Sequence, residues 1–250
     1  MKVVVVGASG MMGSKIVRAL ERGGHDVVEA SSKSGVNALT GEGLAAAFAR
    51  ADAVVDVTNS GSFGDGDALA FFKQAGKQML SAARVAGVRH YVALSVVGAD
   101  SLVENDYFRG KLVQENLVRA SGLPHTIVRS TQFFEFFSGI LNASVSDGAL
   151  RLPDLRLQPI AADEAAIWIA KLAAEEPRNS IVEIGGPEPA EFIELAKELL
   201  TATEDTRPLA IDPETLYFGV SLPPKGLLPN SAMVSGKLTF HDWLSRTVYA

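Results

Sequence analysis

Two hydrophobic rhythms alternate along the first half of the chain. Short β-branched runs at Lys2–Val6, Asp26–Glu29, Ala53–Val57, Tyr91–Leu94 and Thr126–Val128 are each bounded by Gly, Asn, Ser or Pro, which predicts strands. Between most of them, apolar residues recur at helical spacing over Met12–Arg22, Gly43–Ala49, Asp67–Ala86 and Lys111–Ala120. Several of the strands, Val3-Val4-Val5-Val6 above all, are continuous apolar runs, as parallel strands covered on both faces are. Strand–helix–strand repetition then predicts an α/β fold, a Rossmann-type doubly wound parallel sheet with right-handed crossovers. Gly122 and Pro124 after the Lys111–Ala120 helix, and Gly87 after Ala86, are helix-stop signals in the expected places.

The texture changes after about Arg129. The aromatic stretch Phe133-Phe134-Glu135-Phe136-Phe137 is followed by isolated elements: a helix over Asp163–Ala174, a strand over Ile181–Ile184, a helix over Glu191–Leu200 and a loop over Leu222–Asn230. The expected organisation is a dinucleotide-type domain over 1–130 and a smaller substrate-binding lobe over 131–250, packed on the sheet as one structural unit. Ligands of such sheets bind outside the carboxyl ends of the strands. Half or more of the Phe cluster is expected in the core of the lobe, with one or two rings left to wall an apolar cleft.

Composition narrows the class. The 250 residues carry 23 basic and 29 acidic side chains, a net charge of −6, and 47% are hydrophobic. That balance argues against a nucleic-acid partner, which needs clustered Lys and Arg. With no cysteine, thiol nucleophiles, disulfides and Cys-ligated metals are excluded. Histidines 25, 90, 125 and 241 show no metal-binding spacing, and no G-x-S-x-G elbow supports hydrolase chemistry. The four-residue run Val3–Val6 is far short of the about 20 apolar residues of a membrane span. A soluble, cytoplasmic protein acting on a small molecule is the expectation, with self-association into a homo-oligomer left open.

The turn Gly7-Ala8-Ser9-Gly10-Met11-Met12-Gly13 stands directly between the first strand and the first helix. A tight turn wants Gly7, approach of backbone N–H groups to a pyrophosphate wants Gly10, and close helix–sheet packing wants Gly13. The helix N-terminus that follows, from Met11 and Met12, adds partial positive charge. The spacing is G-x-x-G-x-x-G, so its position after VVVV carries more weight than the glycines alone. At the end of the second strand, Glu29 stands about where an acidic residue holds the ribose of NAD. Ser31, Ser32 and Lys33 at the tip offer two hydroxyls and an ammonium, which suit a 2′-phosphate. NADP is therefore the favoured cofactor, with NAD as the alternative.

Tyr107 and Lys111 are four residues apart, on one face of a helix, and Ser95 ends the strand twelve residues earlier. With 4 Tyr and 10 Lys in the chain, about 0.16 such pairs are expected by chance. The set suits carbonyl reduction: a positioned acid protonates the alkoxide formed by hydride transfer. On this reading Tyr107 is the proton donor, Lys111 lowers its pKa and holds the cofactor ribose, and Ser95 orients the substrate oxygen. Arg129, at a strand end, is equally suited to an internal salt bridge and to a ligand.

Together the stretches GASGMMG, LSVVGAD, YFRGK and SGLPHTIVRSTQFFEF resemble the atypical short-chain dehydrogenases/reductases of the NmrA-like type, over most of the chain to about residue 190. The resemblance implies a Rossmann-type fold, a small C-terminal substrate lobe and NADP. It places Lys33 near the adenosine phosphate, and Thr58, Asn59 and Ser60 on the cofactor. It also implies that Ser130-Thr131-Gln132-Phe133 lines the nicotinamide end, with Thr131 on the cofactor and Gln132 and Phe133 towards substrate. The implied activity is NADP-dependent reduction of a quinone or other small carbonyl compound, the substrate being flat and apolar. The family also contains dinucleotide-binding redox sensors without turnover, and that is the alternative function.

Overall fold

The computed structural model describes residues 1–61, 67–146, 148–230 and 232–247. The chain divides into two compact units, Met1–Arg129 with Ala166–Val182, and Ser130–Ala165 with Glu183–Ala250. The smaller unit is thus not the uninterrupted stretch 131–250 expected from the change in texture, because residues 166–182 return to the first unit.

The first unit follows the alternation of the sequence. Its elements are β1 (Lys2–Val6), α1 (Met11–Arg22), β2 (Asp26–Ala30), α2 (Leu44–Phe48), β3 (Ala53–Asp56), α3 (Asp67–Val85), β4 (His90–Val96), α4 (Asp106–Ala120) and β5 (His125–Ser130). After α5 (Phe137–Asn142), β6 (Val145–Ser146), β7 (Ala149–Leu152) and β8 (Arg156–Leu157), it regains α6 (Ala162–Ala174) from Ala166 and the start of β9 (Ser180–Gly185). The sheet runs β9-β5-β4-β3-β1-β2, with β1 parallel to both β2 and β3, and β3 parallel to β4. Between β1 and β3 the strand order reverses, and the carboxyl ends at that point are Val6 and Asp56.

Both faces of this sheet are covered. Val4, Val6, Val54 and Tyr91 lie on one side with Leu44, Phe48, Met79 and Ile127. Val3, Val5 and Val55 point the other way and are equally buried, the physical reason for the unbroken apolar runs. Helix α1 buries Met12, Gly13, Ile16, Val17 and Leu20, a stripe at 3–4 residue spacing. Helix α4 begins five residues before the Lys111 start read from periodicity. The side chain of Asn105 accepts from the backbone N–H groups of Tyr107 and Phe108, at 2.9 and 3.4 Å, and so caps the helix earlier.

The second unit adds β10 (Ala190–Glu191), α7 (Phe192–Ala202), β11 (Leu209–Ile211), β12 (Ala232–Ser235) and α8 (Phe240–Thr247). Its small sheets are β11-β7-β6 and β10-β8, and β12 pairs with residues 183–185 of β9. Its core is aromatic. Phe137 packs edge-on to Phe192 and against Phe240, while Phe134 meets Phe240 and Trp243. Phe134 and Phe137 are buried, Phe133 is half-buried and Phe136 is 46% exposed. Among the described residues, no helix is long and apolar enough to cross a membrane.

One buried side chain sets a pH dependence for the first unit. His90, at the start of β4, has its Nε2 2.8 Å from Thr126 Oγ1, and burial holds the imidazole below its ordinary value of 6.5. The folded protein therefore resists protonating it, whereas the unfolded chain does not. The contribution is whole above the unfolded pKa of about 6.5 and is lost as pH falls below it. Urea unfolding is expected to show lower stability at about pH 5.5 than at about pH 7.5, with the difference reduced in His90→Gln.

Candidate active site

The glycine turn is built as its residue types require. Gly7 has a φ of +90°, open to glycine at no cost, and a Cβ there would lie 2.9 Å from the Val57 carbonyl oxygen. At Gly13 a Cβ would meet the Gly7 carbonyl oxygen at 2.1 Å, so α1 can approach β1 only without a side chain. The N–H groups of Gly7 and Ala8 are tied to the carbonyl of Ala30, which anchors the turn on the end of β2. Gly10 is the N-cap of α1 and no side chain caps that end. The first N–H groups of the helix, from Met11 onward, are thus left for an anion, with the macrodipole favouring negative charge. A dinucleotide pyrophosphate fits this cradle.

Two further predicted segments come to the same edge. The close approach of Gly7 to Val57 brings the turn beside Thr58, whose N–H and hydroxyl both donate to Asp56 Oδ1, at 3.0 and 2.7 Å. Asn59 is exposed and its side-chain oxygen takes the Ser60 N–H at 3.1 Å. Past β2, residues Ser32–Ser34 form one 3-10 turn, held by Ser34 Oγ donating to the Glu29 carbonyl at 2.8 Å. Ser32 and Lys33 are exposed on that turn and Ser31 is half-buried, as a site for a phosphate in solvent reach requires.

The Ser95, Tyr107 and Lys111 side chains are placed differently from the sequence expectation. Ser95 is buried and its Oγ donates to Glu115 Oε1 at 2.6 Å. A hydroxyl has one hydrogen, and this one is engaged, so in this arrangement Ser95 does not donate to a substrate oxygen. Lys111 is also buried, donating to the Leu94 carbonyl at 2.9 Å and to Gln114 Oε1 at 3.0 Å, with Nζ 4.4 Å from the centre of the Phe72 ring. Loss of hydration brings its pKa down to about 8, although Asp56 and Glu115 pull the other way. Tyr107 is half-buried, edge-on to Phe72 at 5.8 Å and to Phe108 at 5.4 Å. Burial raises its phenol above the ordinary 10. The lowering by Lys111 expected from the spacing is therefore not found. The two residues share the Phe72 wall, but the ammonium points to the strand end and the amide of Gln114.

Behind these groups lies a polar network that the sequence did not flag. Asp56, fully buried at the end of β3, accepts from Tyr91 Oη at 3.0 Å and Gln114 Nε2 at 2.7 Å as well as from Thr58. Burial and the adjacent carboxylate raise the Tyr91 phenol well above its ordinary value. Glu115, also fully buried, takes Arg129 Nε and Nη2 at 2.8 and 3.0 Å and Arg119 at 2.8 Å. Arg129 adds Asp100 at 3.0 Å, so its role is the internal salt bridge. A carboxylate in the apolar run Ala53–Val57 and the Gln-Glu pair three and four residues after Lys111 were the available signals.

In the second unit, Thr131 donates its N–H to the Ile184 carbonyl and its hydroxyl to the Gln158 carbonyl, at 3.0 and 2.7 Å. Both its donors are engaged by the fold, so in this arrangement its hydroxyl is left only as an acceptor. Gln132 is buried and its Oε1 has no hydrogen-bond partner among the described residues. Its amide serves the phenol of Tyr217, which burial raises above the ordinary range. Phe133 packs on Phe136 with ring centres 6.0 Å apart.

Known proteins agree with the fold. A chloroplast divinyl chlorophyllide a 8-vinyl-reductase of Oryza sativa subsp. indica is 31% identical over 221 residues, 74% of this chain and 54% of the relative. The chain thus spans about half the length of that relative. A reductase of (4-alkanoyl-5-oxo-2,5-dihydrofuran-3-yl)methyl phosphate from Streptomyces griseus subsp. griseus is 28% identical over 230 residues, 83% of this chain and 72% of the relative. Among solved structures, an Agrobacterium tumefaciens short-chain dehydrogenase/reductase superfamily protein with bound NAD matches with a TM-score of 0.73, covering 100% of this chain and 96% of that one at 20% identity. The Citrobacter sp. triphenylmethane reductase complexed with NADP(H) matches with a TM-score of 0.64, covering 86% and 80% at 22% identity. A sequence-family model described as NAD(P)H-binding matches residues 7–135, from the first glycine of the turn through β5 to Glu135. With that match over half of its length and the uncapped glycine cradle at its start, the chain belongs to the NAD(P)H-binding family.

Proposed function

We propose that this protein is an NADP-dependent oxidoreductase that reduces a quinone or other small carbonyl compound, with Tyr107 as the proton donor. The observation that carries the reading is the glycine cradle at the reversal of strand order, with Lys33 exposed past β2 and Tyr107 on α4. NADPH, when bound, supplies the hydride. The residues supply the rest. The N-terminus of α1 and Lys33 carry the phosphates, and Thr58, Asn59 and Ser60 form the wall beside the turn. Tyr107 stays a neutral phenol across the physiological range, since burial raises its pKa. A neutral phenol can hydrogen-bond a carbonyl oxygen and then give its proton to the more basic alkoxide. Lys111, charged below its pKa of about 8, offers one remaining N–H to a ribose hydroxyl. Gln132 and Phe133 are proposed to meet the substrate, the first by its unpartnered oxygen and the second by its ring.

Calorimetric titration with NADPH and NADH, followed by NADPH oxidation over a panel of quinones, small carbonyl compounds and conjugated enones, tests this reading. The enones belong in the panel because one relative is named for reduction of a vinyl group. Saturable NADPH binding with turnover of at least one acceptor is expected; no binding would end the reading. Lys33→Ala is expected to weaken NADPH by about tenfold, the loss of one charge-assisted phosphate contact, and to leave NADH within about twofold. Equal losses for the two would mean that Lys33 does not read the phosphate.

The engaged hydrogen of Ser95 favours a second reading, a dinucleotide-binding redox sensor without turnover. It requires NADPH affinity with no oxidation by any acceptor of the panel, and a protein partner that responds to the redox state of the cofactor.

A further inference from the structure

We propose that Asp56 and Gln114 are a positioning pair that ties the cofactor-contacting segment at Thr58 to the Lys111 ammonium. This rests on the assignment of Thr58 and Lys111 as cofactor contacts made above. Asp56 takes four donors on one carboxylate: the Thr58 N–H and hydroxyl on Oδ1, and Tyr91 Oη and Gln114 Nε2 on Oδ2. Because the carboxylate claims the N–H side of the Gln114 amide, the amide oxygen is forced to face the other way. There it accepts from Lys111 Nζ at 3.0 Å. The orientation of one amide thus carries the charge of Asp56 to Lys111 without direct contact, and the same carboxylate fixes the backbone at Thr58. Asp56, Gln114 and Lys111 are all buried, so no bulk water competes for these bonds.

The charged and titratable groups around Lys111 are few. Asp56 faces it from β3 through Gln114, and Glu115 lies on its own helix, already paired with Arg129 of β5 and with Arg119. Tyr91 of β4 bonds Asp56, and Tyr107 lies across the Phe72 ring of α3. Asp56 and Glu115 both favour the charged Lys111, Asp56 the more strongly, and of the two only Asp56 is tied to it through Gln114. Asparagine has one acceptor oxygen for four donors, so Asp56→Asn confronts Tyr91 and Gln114 with an amide N–H. The Gln114 amide then turns and presents its own N–H to the ammonium. Gln114→Leu removes the bridge alone and leaves Asp56 on Thr58 and Tyr91.

The experiment uses the full chain labelled with ε-carbon-13 lysine, the Lys111 resonance being recognised by its loss in Lys111→Met. In the wild type it is expected to titrate at about 8. In Asp56→Asn the midpoint is expected to fall by about 1–3 pH units, the usual effect of removing an opposite charge, and in Gln114→Leu by about half a unit to one unit, because only the amide acceptor of the ammonium is lost and the Asp56 charge stays. The NADPH dissociation constant, read by calorimetry, is expected to rise about tenfold in Asp56→Ala, which takes both acceptor oxygens away from Thr58, and to rise less in Asp56→Asn, whose remaining oxygen keeps the Thr58 donors. A Lys111 midpoint that stays in place in a folded variant overturns the proposal, even if the melting temperature drops, since that is what a merely structural carboxylate would give. Unchanged NADPH affinity in a folded Asp56→Ala overturns the link to Thr58. If Asp56→Asn does not fold, the midpoint in Gln114→Leu decides alone. Absence of NADPH oxidation in the wild type would be seen separately and would leave the lysine titration intact.

Discussion

Replacing Tyr107 with phenylalanine is expected to lower kcat/KM for NADPH-dependent quinone reduction by about 10²–10⁴, the usual contribution of a positioned general acid. The substitution removes one oxygen and keeps the ring, so the edge-on contacts with Phe72 and Phe108 persist. NADPH affinity should stay within about twofold, because the cradle belongs to the glycine turn and not to α4. The wild type makes a second demand on the same group. Burial raises the Tyr107 phenol above 10, so no loss of rate should come from its ionisation below that pH. An alkaline limb near pH 8 is instead assigned to Lys111 and should vanish from the profile in Lys111→Met along with most of the activity. Turnover in Tyr107→Phe equal to that of the wild type would remove Tyr107 from the chemistry.

Glu115→Gln is expected to destabilise the first unit by about 3–5 kcal/mol, the range for breaking a buried ion pair from one side. Glu115 has no exposed surface and Arg129 very little, and the carboxylate takes two guanidinium N–H groups of Arg129 and one of Arg119. Removing the negative charge leaves Arg129 buried with only Asp100, whose side chain is largely exposed and so screens weakly. Ser95 would lose its charged acceptor as well. Urea unfolding should show a lower midpoint at unchanged slope. The reverse double change, Glu115→Leu with Arg129→Leu, should cost much less, since no charge is left stranded. Equal losses in the two would mean that the ion pair carries no special weight.

How far the sequence reached can be judged from particular residues. The β1 run and the glycines at 7, 10 and 13 predicted a strand, a turn and a helix, and these stand within one residue of expectation. Phe134 and Phe137 went to the core, with Phe133 and Phe136 less buried. Periodicity missed the first turn of α4, because Asn105 starts that helix by capping it and a cap is not a hydrophobic signal. It also missed Asp56 and Gln114, which are 58 residues apart and meet only in the folded chain, by one side-chain hydrogen bond.

What the sequence determined by itself was the local: which segments are strands or helices, where no side chain fits, and that a Tyr and a Lys share one helix face. Those follow from backbone sterics and from the 2- and 3.6-residue periods, which act between neighbours in the chain. Only the tertiary structure decided what each polar group touches. Ser95 found Glu115, Lys111 found Leu94 and Gln114, and Tyr107 gained a raised pKa in place of a lowered one. Hydrogen-bond partners and desolvation come from residues distant in sequence, so a spacing of four can place two side chains on one face but cannot say which way an ammonium turns.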